Sequence, residues 1–254
     1  MRARRRFGQN FLHDPNVIDK IVGVIAPVPG EQLLEIGPGH GAISRPLMTA
    51  GAKLTVLEID RDLVAELSSD PGFSDARIVE GDALDVRFAE LGQGPYRVVG
   101  NLPYNISSPL LFHCLDQLDQ LRDAHFLLQL EVVQRMAAQP GSRVYGRLSV
   151  MLQYHCQVRS LFTVAPGAFM PAPKVHSALV RLIPHAKLPA KARSYEVFSR
   201  VVSSAFAQRR KQLGNSLRSH LTAAQLSSLE IDPTLRPEQL APADFVAIAN
   251  AVTP

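Results

Sequence analysis

Asn101-Leu102-Pro103-Tyr104 closes an apolar run that begins at Tyr96, downstream of a glycine turn Gly37-Pro38-Gly39-His40-Gly41. The four residues combine two hydrogen-bond acceptors, the Asn101 side-chain oxygen and the carbonyl just before the proline, with the flat ring of Tyr104. Such a set suits alkylation of the exocyclic amine of a base. The amine lone pair is delocalised into the ring, so a protein must grip both N–H groups and turn the lone pair toward an electrophile, with the base splayed out against an aromatic face. The same residues also make an ordinary strand-end turn, and their surroundings decide between the two.

The glycine turn follows an expected buried strand, Gln32–Ile36, and opens a helical pattern, so a ligand can lie against bare backbone at a helix N-terminus. Gly37, Gly39 and Ala42 satisfy the G-x-G-x-x-G/A pattern, and Glu58 follows about twenty residues on, which keeps a nicotinamide-dinucleotide oxidoreductase open as a rival. The next acid, Asp82 in Glu80-Gly-Asp-Ala83, separates the two. Its carboxylate can accept from an adenine amino group while the following N–H donates to a ring nitrogen, although Asp82 could equally cap the next segment. Glu58 for a ribose and Asp82 for an adenine hold a nucleoside with no need for a pyrophosphate. The glycine turn also carries no lysine or arginine, which suits the positive sulfonium of S-adenosylmethionine.

The elements that must position these residues alternate. Asp14 and Pro15 start a helix whose apolar face runs through Val17, Ile18, Ile21, Val22 and Ile25. Strands are expected over Gln32–Ile36, Lys53–Ile59, Arg77–Gly81, Arg97–Gly100 and His125–Leu130. Helices are expected over Ala42–Ala50, Arg61–Leu67, Ser108–Leu118 and Glu131–Ala138. This is the signature of a doubly wound parallel α/β sheet. Ser149–Gln157 and Val175–Ile183 read as two closing strands, joined by a proline-rich loop that contains Phe169. A linker over Pro184–Ala192 leads to helical spacing from Tyr195 onward. The expected division is therefore a Rossmann-like domain over 1–185 and a small all-helical domain over 186–254.

Net charge is +4, but it is segregated along the chain. Residues 12–131 hold eighteen acids against eight bases, and residues 132–229 hold fourteen bases against the single acid Glu196. A hundred residues almost without acid point to a polyanion, and without an amphipathic anchor nucleic acid is favoured over a membrane. Arg209, Arg210 and Lys211 are the densest cluster. No apolar run has bilayer length, so a cytoplasmic protein, expected to act as a monomer, is the simplest reading. Cys114 and Cys156 are far apart with no metal-like spacing; reduced interior thiols and no metal are expected.

With Arg6–Leu12, Glu35–Gly39, Glu58–Asp60, Gly81–Ala83, Gly100–Ile106, Tyr145–Ser149, Ala168–Val175 and Phe206–Lys211 in order, nearly the whole chain resembles the small-subunit ribosomal RNA adenine N6,N6-dimethyltransferase family. The resemblance implies a Rossmann-like methyltransferase sheet with a helical C-terminal domain, and S-adenosylmethionine as cofactor with S-adenosylhomocysteine as product. It implies that Asn10 and Leu12 close over the methionine end, that Gly37 approaches by backbone, that Glu58 takes the ribose, that Asp82 and Ala83 read the adenine, and that Asn101 bridges cofactor and target. It further implies two adjacent adenosines in a hairpin loop near the 3′ end of 16S ribosomal RNA, each dimethylated at N6, within assembling 30S particles.

In the expected mechanism the methyl passes directly in line to nitrogen. Asn101 and the carbonyl of Leu102 or Pro103 accept the amine hydrogens, and no general base takes part. Tyr104 stacks on the base. Phe169 is either core or a second wall, and the resemblance favours the wall. Enzymes acting on large-subunit RNA or on DNA adenines, and an assembly factor that retains the fold without catalysis, remain the rivals.

Overall fold

The computed structural model describes residues 9–208 and 210–253. In chain order its elements are β1 (Phe11–Leu12), α1 (Pro15–Ile25), β2 (Gln32–Ile36), α2 (Ser44–Thr49), β3 (Lys53–Glu58), α3 (Arg61–Ser69), β4 (Arg77–Glu80), β5 (Tyr96–Asn101), α4 (Ser107–Leu115), β6 (Leu121–Gln129), α5 (Leu130–Met136), α6 (Arg147–His155), β7 (Cys156–Val164), β8 (Phe169–Met170), β9 (Ser177–Pro184), α7 (Tyr195–Phe206), α8 (Leu213–Ser216), α9 (Ala223–Ser228) and α10 (Pro242–Val252). Among the described residues, no helix is long and apolar enough to cross a membrane. Arg209 lies outside the described residues, as does the N-terminal stretch before Gln9.

The chain divides into two compact units: the described residues up to Val133 with Arg159–Pro184, and Gln134–Val158 with the described residues from His185 onward. The expected boundary near residue 185 is one of three crossings. The other two arise because residues 134–158 pack with the later helices.

In the first unit the main sheet runs β4-β3-β2-β5-β6-β9-β7. β2 pairs in parallel with β3 and β5, β3 with β4, and β5 with β6, whereas β9 runs antiparallel to β6. Strand order reverses between β2 and β5, so the helices after these two strands leave in opposite directions and a crevice opens at their carboxyl ends. Both strands are buried along almost their whole length, which is why they read as continuous apolar runs and not as alternation. α1 starts as expected: Asp14 accepts from the N–H groups of Asn16 and Val17, and Ile21 and Ile25 are buried beneath it.

The second unit packs α6, α7 and α10 together. The Tyr154 and Phe198 ring centroids are 4.4 Å apart and those of Phe206 and Phe245 5.7 Å. Phe198, Val201, Val202 and Ala205 are buried on α7, at the spacing read from the sequence. The expected strand over Ser149–Gln157 is corrected. Residues up to His155 form α6, and the strand begins only at Cys156. The reason is burial on all sides: Leu148, Ser149, Val150, Met151, Leu152 and Tyr154 are all covered, so no polar face betrays the helical period. The Gly146 N–H donates to Ser149 Oγ at 3.0 Å and marks the true start of the helix.

At the sheet edge opposite the crevice, Arg97 anchors the first residues of β5. Its fork donates to Asp123 on β6 at 3.0 and 3.1 Å and to Glu31 at 3.1 Å, and the residue is 8% exposed. Burial works against an ionised Asp123, but the His125 ring at 3.5 Å and the Arg97 guanidinium outweigh it and hold the carboxyl at about 2. A folded pKa below the ordinary 3.8 means stabilisation that is complete above that value and lost as pH falls from about 4 toward about 2. Arg97→Ala, which takes the guanidinium away from the buried Asp123 while Glu31 keeps its ion pair with Arg122, is expected to cost about 3 kcal/mol in urea unfolding. Asp123→Asn is expected to flatten the loss of stability over that acid range.

Candidate functional site

Four strand ends of the first unit line up along one edge, in the order β4, β3, β2, β5, and carry Asp82, Glu58, Gly37 and Asn101 at or just beyond their tips. With strands about 4.8 Å apart, the row covers about 14 Å. A cleft of about 440 Å³ runs along it and is lined by all four, by Asn10 and Leu12 of the N-terminal segment, by Ala83, and by Leu102, Pro103 and Tyr104. That volume lies in the range of small-molecule and cofactor sites. All the expected cofactor residues therefore meet in one place.

Two glycines shape the crevice. Gly37 has φ +67°, and a Cβ built there would meet nothing within 4 Å, so its backbone faces open space in the cleft. Gly100 allows close approach instead: a Cβ there would lie 2.7 Å from the Ile36 carbonyl oxygen and 2.8 Å from Leu102 Cδ2. The tips of β2 and β5 come together because residue 100 has no side chain.

Glu58 is 5% exposed. One carboxylate oxygen accepts from the N–H groups of Ile59 and Asp60, each at 2.9 Å, and the other from Gly39 at 3.4 Å. Burial lifts its pKa above the ordinary value, against the pull of those three N–H groups. The long third bond leaves Oε2 able to accept from a hydroxyl. Asp82 does cap the next segment, as the bland reading allowed, but with one oxygen only: Oδ1 accepts from the Leu84 N–H at 2.9 Å. Its Oδ2 is the atom a ligand can use.

Asn101 stands at the end of β5 with its orientation set. Its Nδ2 donates to the Asn10 carbonyl at 2.8 Å, which turns Oδ1 the other way. The Pro103 carbonyl already accepts from the Ile106 N–H at 3.2 Å and from Ser107 Oγ at 3.0 Å. Of the two carbonyls considered, Leu102 is thus the one left to act as acceptor. The Tyr104 hydroxyl shares a 2.9 Å bond with Ser177 Oγ, which pins the ring by its far end.

Phe169 does not form a wall. It is 2% exposed and belongs to the hydrophobic core, because β8 pairs antiparallel with β1 and turns this side chain inward. Alternation along the strand exposes its neighbour: Met170 is 66% exposed and lines the cleft together with Pro171. His40 also lines the cleft, paired with Glu66 at 2.6 Å and packed on Phe11 with centroids 4.5 Å apart. Arg210 and Lys211 are exposed in the second unit, just beyond α7, and Arg209 lies outside the described residues.

Sequence reasoning missed Glu35. It lies one residue before the carboxyl end of β2, lines the cleft and is 1% exposed. Ser44 Oγ donates to its Oε2 at 2.5 Å. Burial pushes the Glu35 pKa up to about 7, with the Ser44 bond pulling it down and the charge of Glu58 adding to the rise. An acid set among Leu33, Leu34 and Ile36 was the available signal.

Chains named ribosomal RNA small subunit methyltransferase A are 55% identical over 254 residues in Aromatoleum aromaticum, covering 99% of this chain and 94% of that one, and 53% identical over 252 residues in Pseudomonas putida, covering 98% and 94%. Among solved structures, a dimethyladenosine transferase from Plasmodium falciparum superposes with a TM-score of 0.80 at 24% identity, covering 94% of this chain and 95% of that one. The 23S ribosomal RNA methyltransferase ErmE superposes with a TM-score of 0.73 at 26% identity, covering 96% and 99%. The profile described as ribosomal RNA adenine dimethylase matches residues 1–253, and the chain belongs to that family.

Proposed function

We propose that the protein dimethylates N6 of two adjacent adenosines near the 3′ end of 16S ribosomal RNA, with S-adenosylmethionine as methyl donor, acting as a monomer on assembling small subunits. The observation that carries this reading is the Asn101 amide, fixed by Asn10 so that its oxygen and the Leu102 carbonyl form a pair of acceptors beside the Tyr104 ring. Relatives above 50% identity bear the small-subunit name, which favours that substrate over large-subunit RNA and DNA. Family membership accounts for the dinucleotide-like glycine pattern by the strand–turn–helix that both kinds of nucleotide site share.

The residues present fit the donor. Open backbone at Gly37 leaves room for its methionine part, the Glu58 carboxylate matches a ribose, and Asp82 Oδ2 with the Ala83 N–H matches an adenine edge. Asn10 and Leu12 cover the same cleft. When bound, the donor supplies an electrophilic methyl on a positive sulfur.

The chain's own part is positioning. Asn101 Oδ1 and Leu102 O each take one N6 hydrogen, so the nitrogen lone pair points out of the ring plane toward the methyl. These bonds strengthen as the nitrogen turns tetrahedral and positive, so they favour the transition state over the ground state. Tyr104, held by Ser177, offers a face on which the base stacks, worth about 1–3 kcal/mol. Met170 of β8 and Pro171 just after it are the exposed groups that replace Phe169 as candidates for the second wall. The alkylated nitrogen is acidic enough to lose its proton to water. For the second unit, Arg209, Arg210 and Lys211 supply phosphate contacts that set affinity and orientation without choosing the base.

Radiolabelled donor supplied with immature small subunits, naked RNA and DNA, followed by digestion, is expected to yield N6,N6-dimethyladenosine from the subunits; label only in DNA would refute the reading. Asn101→Ala is expected to lower kcat by about 10²-fold or more while calorimetry still shows donor binding. Joint replacement of Arg209, Arg210 and Lys211 by glutamine is expected to reduce the slope of log affinity for RNA against log salt by about 2–3, and an unchanged slope would remove the phosphate role.

A further inference from the structure

Glu35 takes no part in the mechanism above, yet it is a buried acid in the lining of the cleft. On β2 it pairs with Val56 of β3 on one side and Val99 of β5 on the other, so it lies between the strand that ends in Glu58 and the strand that ends in Asn101. If Glu58 takes a ribose and Asn101 faces the reacting amine, the part of the donor between them, its sulfur, passes over the tip of β2. This inference rests on the cofactor reading given above.

We propose that Glu35, with Ser44, is the counter-charge for the sulfonium of the donor: the carboxyl gives up its proton to solvent when the positive donor binds and regains it when the neutral thioether product is left. Glu35 is thus a positioning and specificity residue that makes the cleft hold donor more tightly than product.

Three observations support it. The side chain is 1% exposed and lines the cleft, so a charge on it has little water to stabilise it. Its hydrogen-bond partner, Ser44 at the start of α2, donates a proton at 2.5 Å and so serves the ionised form without neutralising it. The ionisable side chains that share the cleft lining are Glu58, Asp82, His13, His40 and Tyr104; Glu58 is the one whose field reaches Glu35, and it is negative. No cationic side chain of the cleft lining therefore competes for the role. A carboxyl pushed up to about 7 by burial and by the charge of Glu58 holds its proton more firmly than an ordinary one, and an added positive charge in the cleft favours its ionised form.

The sign follows from linkage. A positive ligand lowers the Glu35 pKa in the complex, so binding releases protons, and affinity for the donor rises with pH through about 7. The product keeps the same ammonium and carboxylate but lacks the sulfonium, so its binding should be nearly free of this effect.

The test is calorimetric titration of the full-length protein with S-adenosylmethionine and with S-adenosylhomocysteine, in buffers of different ionisation heat at several pH values. Expected for the donor is release of about half a proton at pH 7 and an affinity gain of about tenfold between pH 6 and 8, with near-zero release for the product. Glu35→Gln, which can keep the Ser44 bond, should abolish the release and flatten the donor profile while leaving product affinity unchanged; that retained product binding shows the variant is folded. Ser44→Ala should move the midpoint of the donor profile to higher pH. Equal proton release for donor and product, or an undiminished release in Glu35→Gln, would overturn the assignment. Failure of both ligands to bind would instead overturn the cofactor reading on which it rests.

Discussion

The approach of β2 to β5 at the point where strand order reverses is the constraint on which the site depends. Parallel strands end in unpaired backbone, and helices normally cover those ends; at the reversal they diverge and leave a crevice. Here the crevice is narrow because Gly100 lets β5 pass against the Ile36 carbonyl, and open on its floor because Gly37 has no side chain. Asn101 follows directly after Gly100, so the residue that makes the two tips meet also delivers the Asn101 amide to the place where they meet. The Asn10 carbonyl then fixes which end of that amide faces the cleft. An asparagine free to flip would present a donor as often as an acceptor.

Electrostatics of the first unit follow from the same row of strand tips. Its contributions are carboxylates, Asp82, Glu58 and Glu35, held at increasing cost as they lie deeper. Asp82 keeps some exposure, Glu58 is stabilised by three backbone N–H groups, and Glu35 has a serine. Such a surface repels RNA phosphate and attracts a positive ligand, while the fourteen basic residues of 132–229 stand almost free of acid. The charge segregation visible in the sequence is in keeping with the division of labour proposed above between small molecule and polyanion, although Arg159, Lys174 and Arg181 of the basic stretch belong to the first unit.

Much of this was legible before any coordinates. The alternation of apolar runs and glycine turns marks the parallel strands because each is buried on both faces, and Glu58, Asp82 and Asn101 could be placed because residues at strand ends are set by the strand's own length. What escaped depends on tertiary cover. α6 is buried all round and loses its helical period, so Ser149–Gln157 reads as a strand. Residues 134–158 join the later helices, which no change of composition announces. Phe169 is buried and Met170 exposed because one-residue alternation on a two-residue strand is fixed by its pairing with β1, a partner more than 150 residues away. Likewise, only the bonds from Ile106 and Ser107 show that Pro103 O is already occupied.

The central claim is that Asn101 Oδ1 and Leu102 O hold the target amine. The most direct measurement is a crystal structure of the protein with S-adenosylhomocysteine and an adenosine-containing RNA hairpin. The account predicts N6 of the extruded adenosine at about 3 Å from both oxygens, its ring on Tyr104 and the product sulfur on the opposite side of the nitrogen. An adenosine whose N6 is turned away from Asn101, or an Asn101 amide that has released the Asn10 carbonyl to donate from Nδ2 to the base, would contradict it.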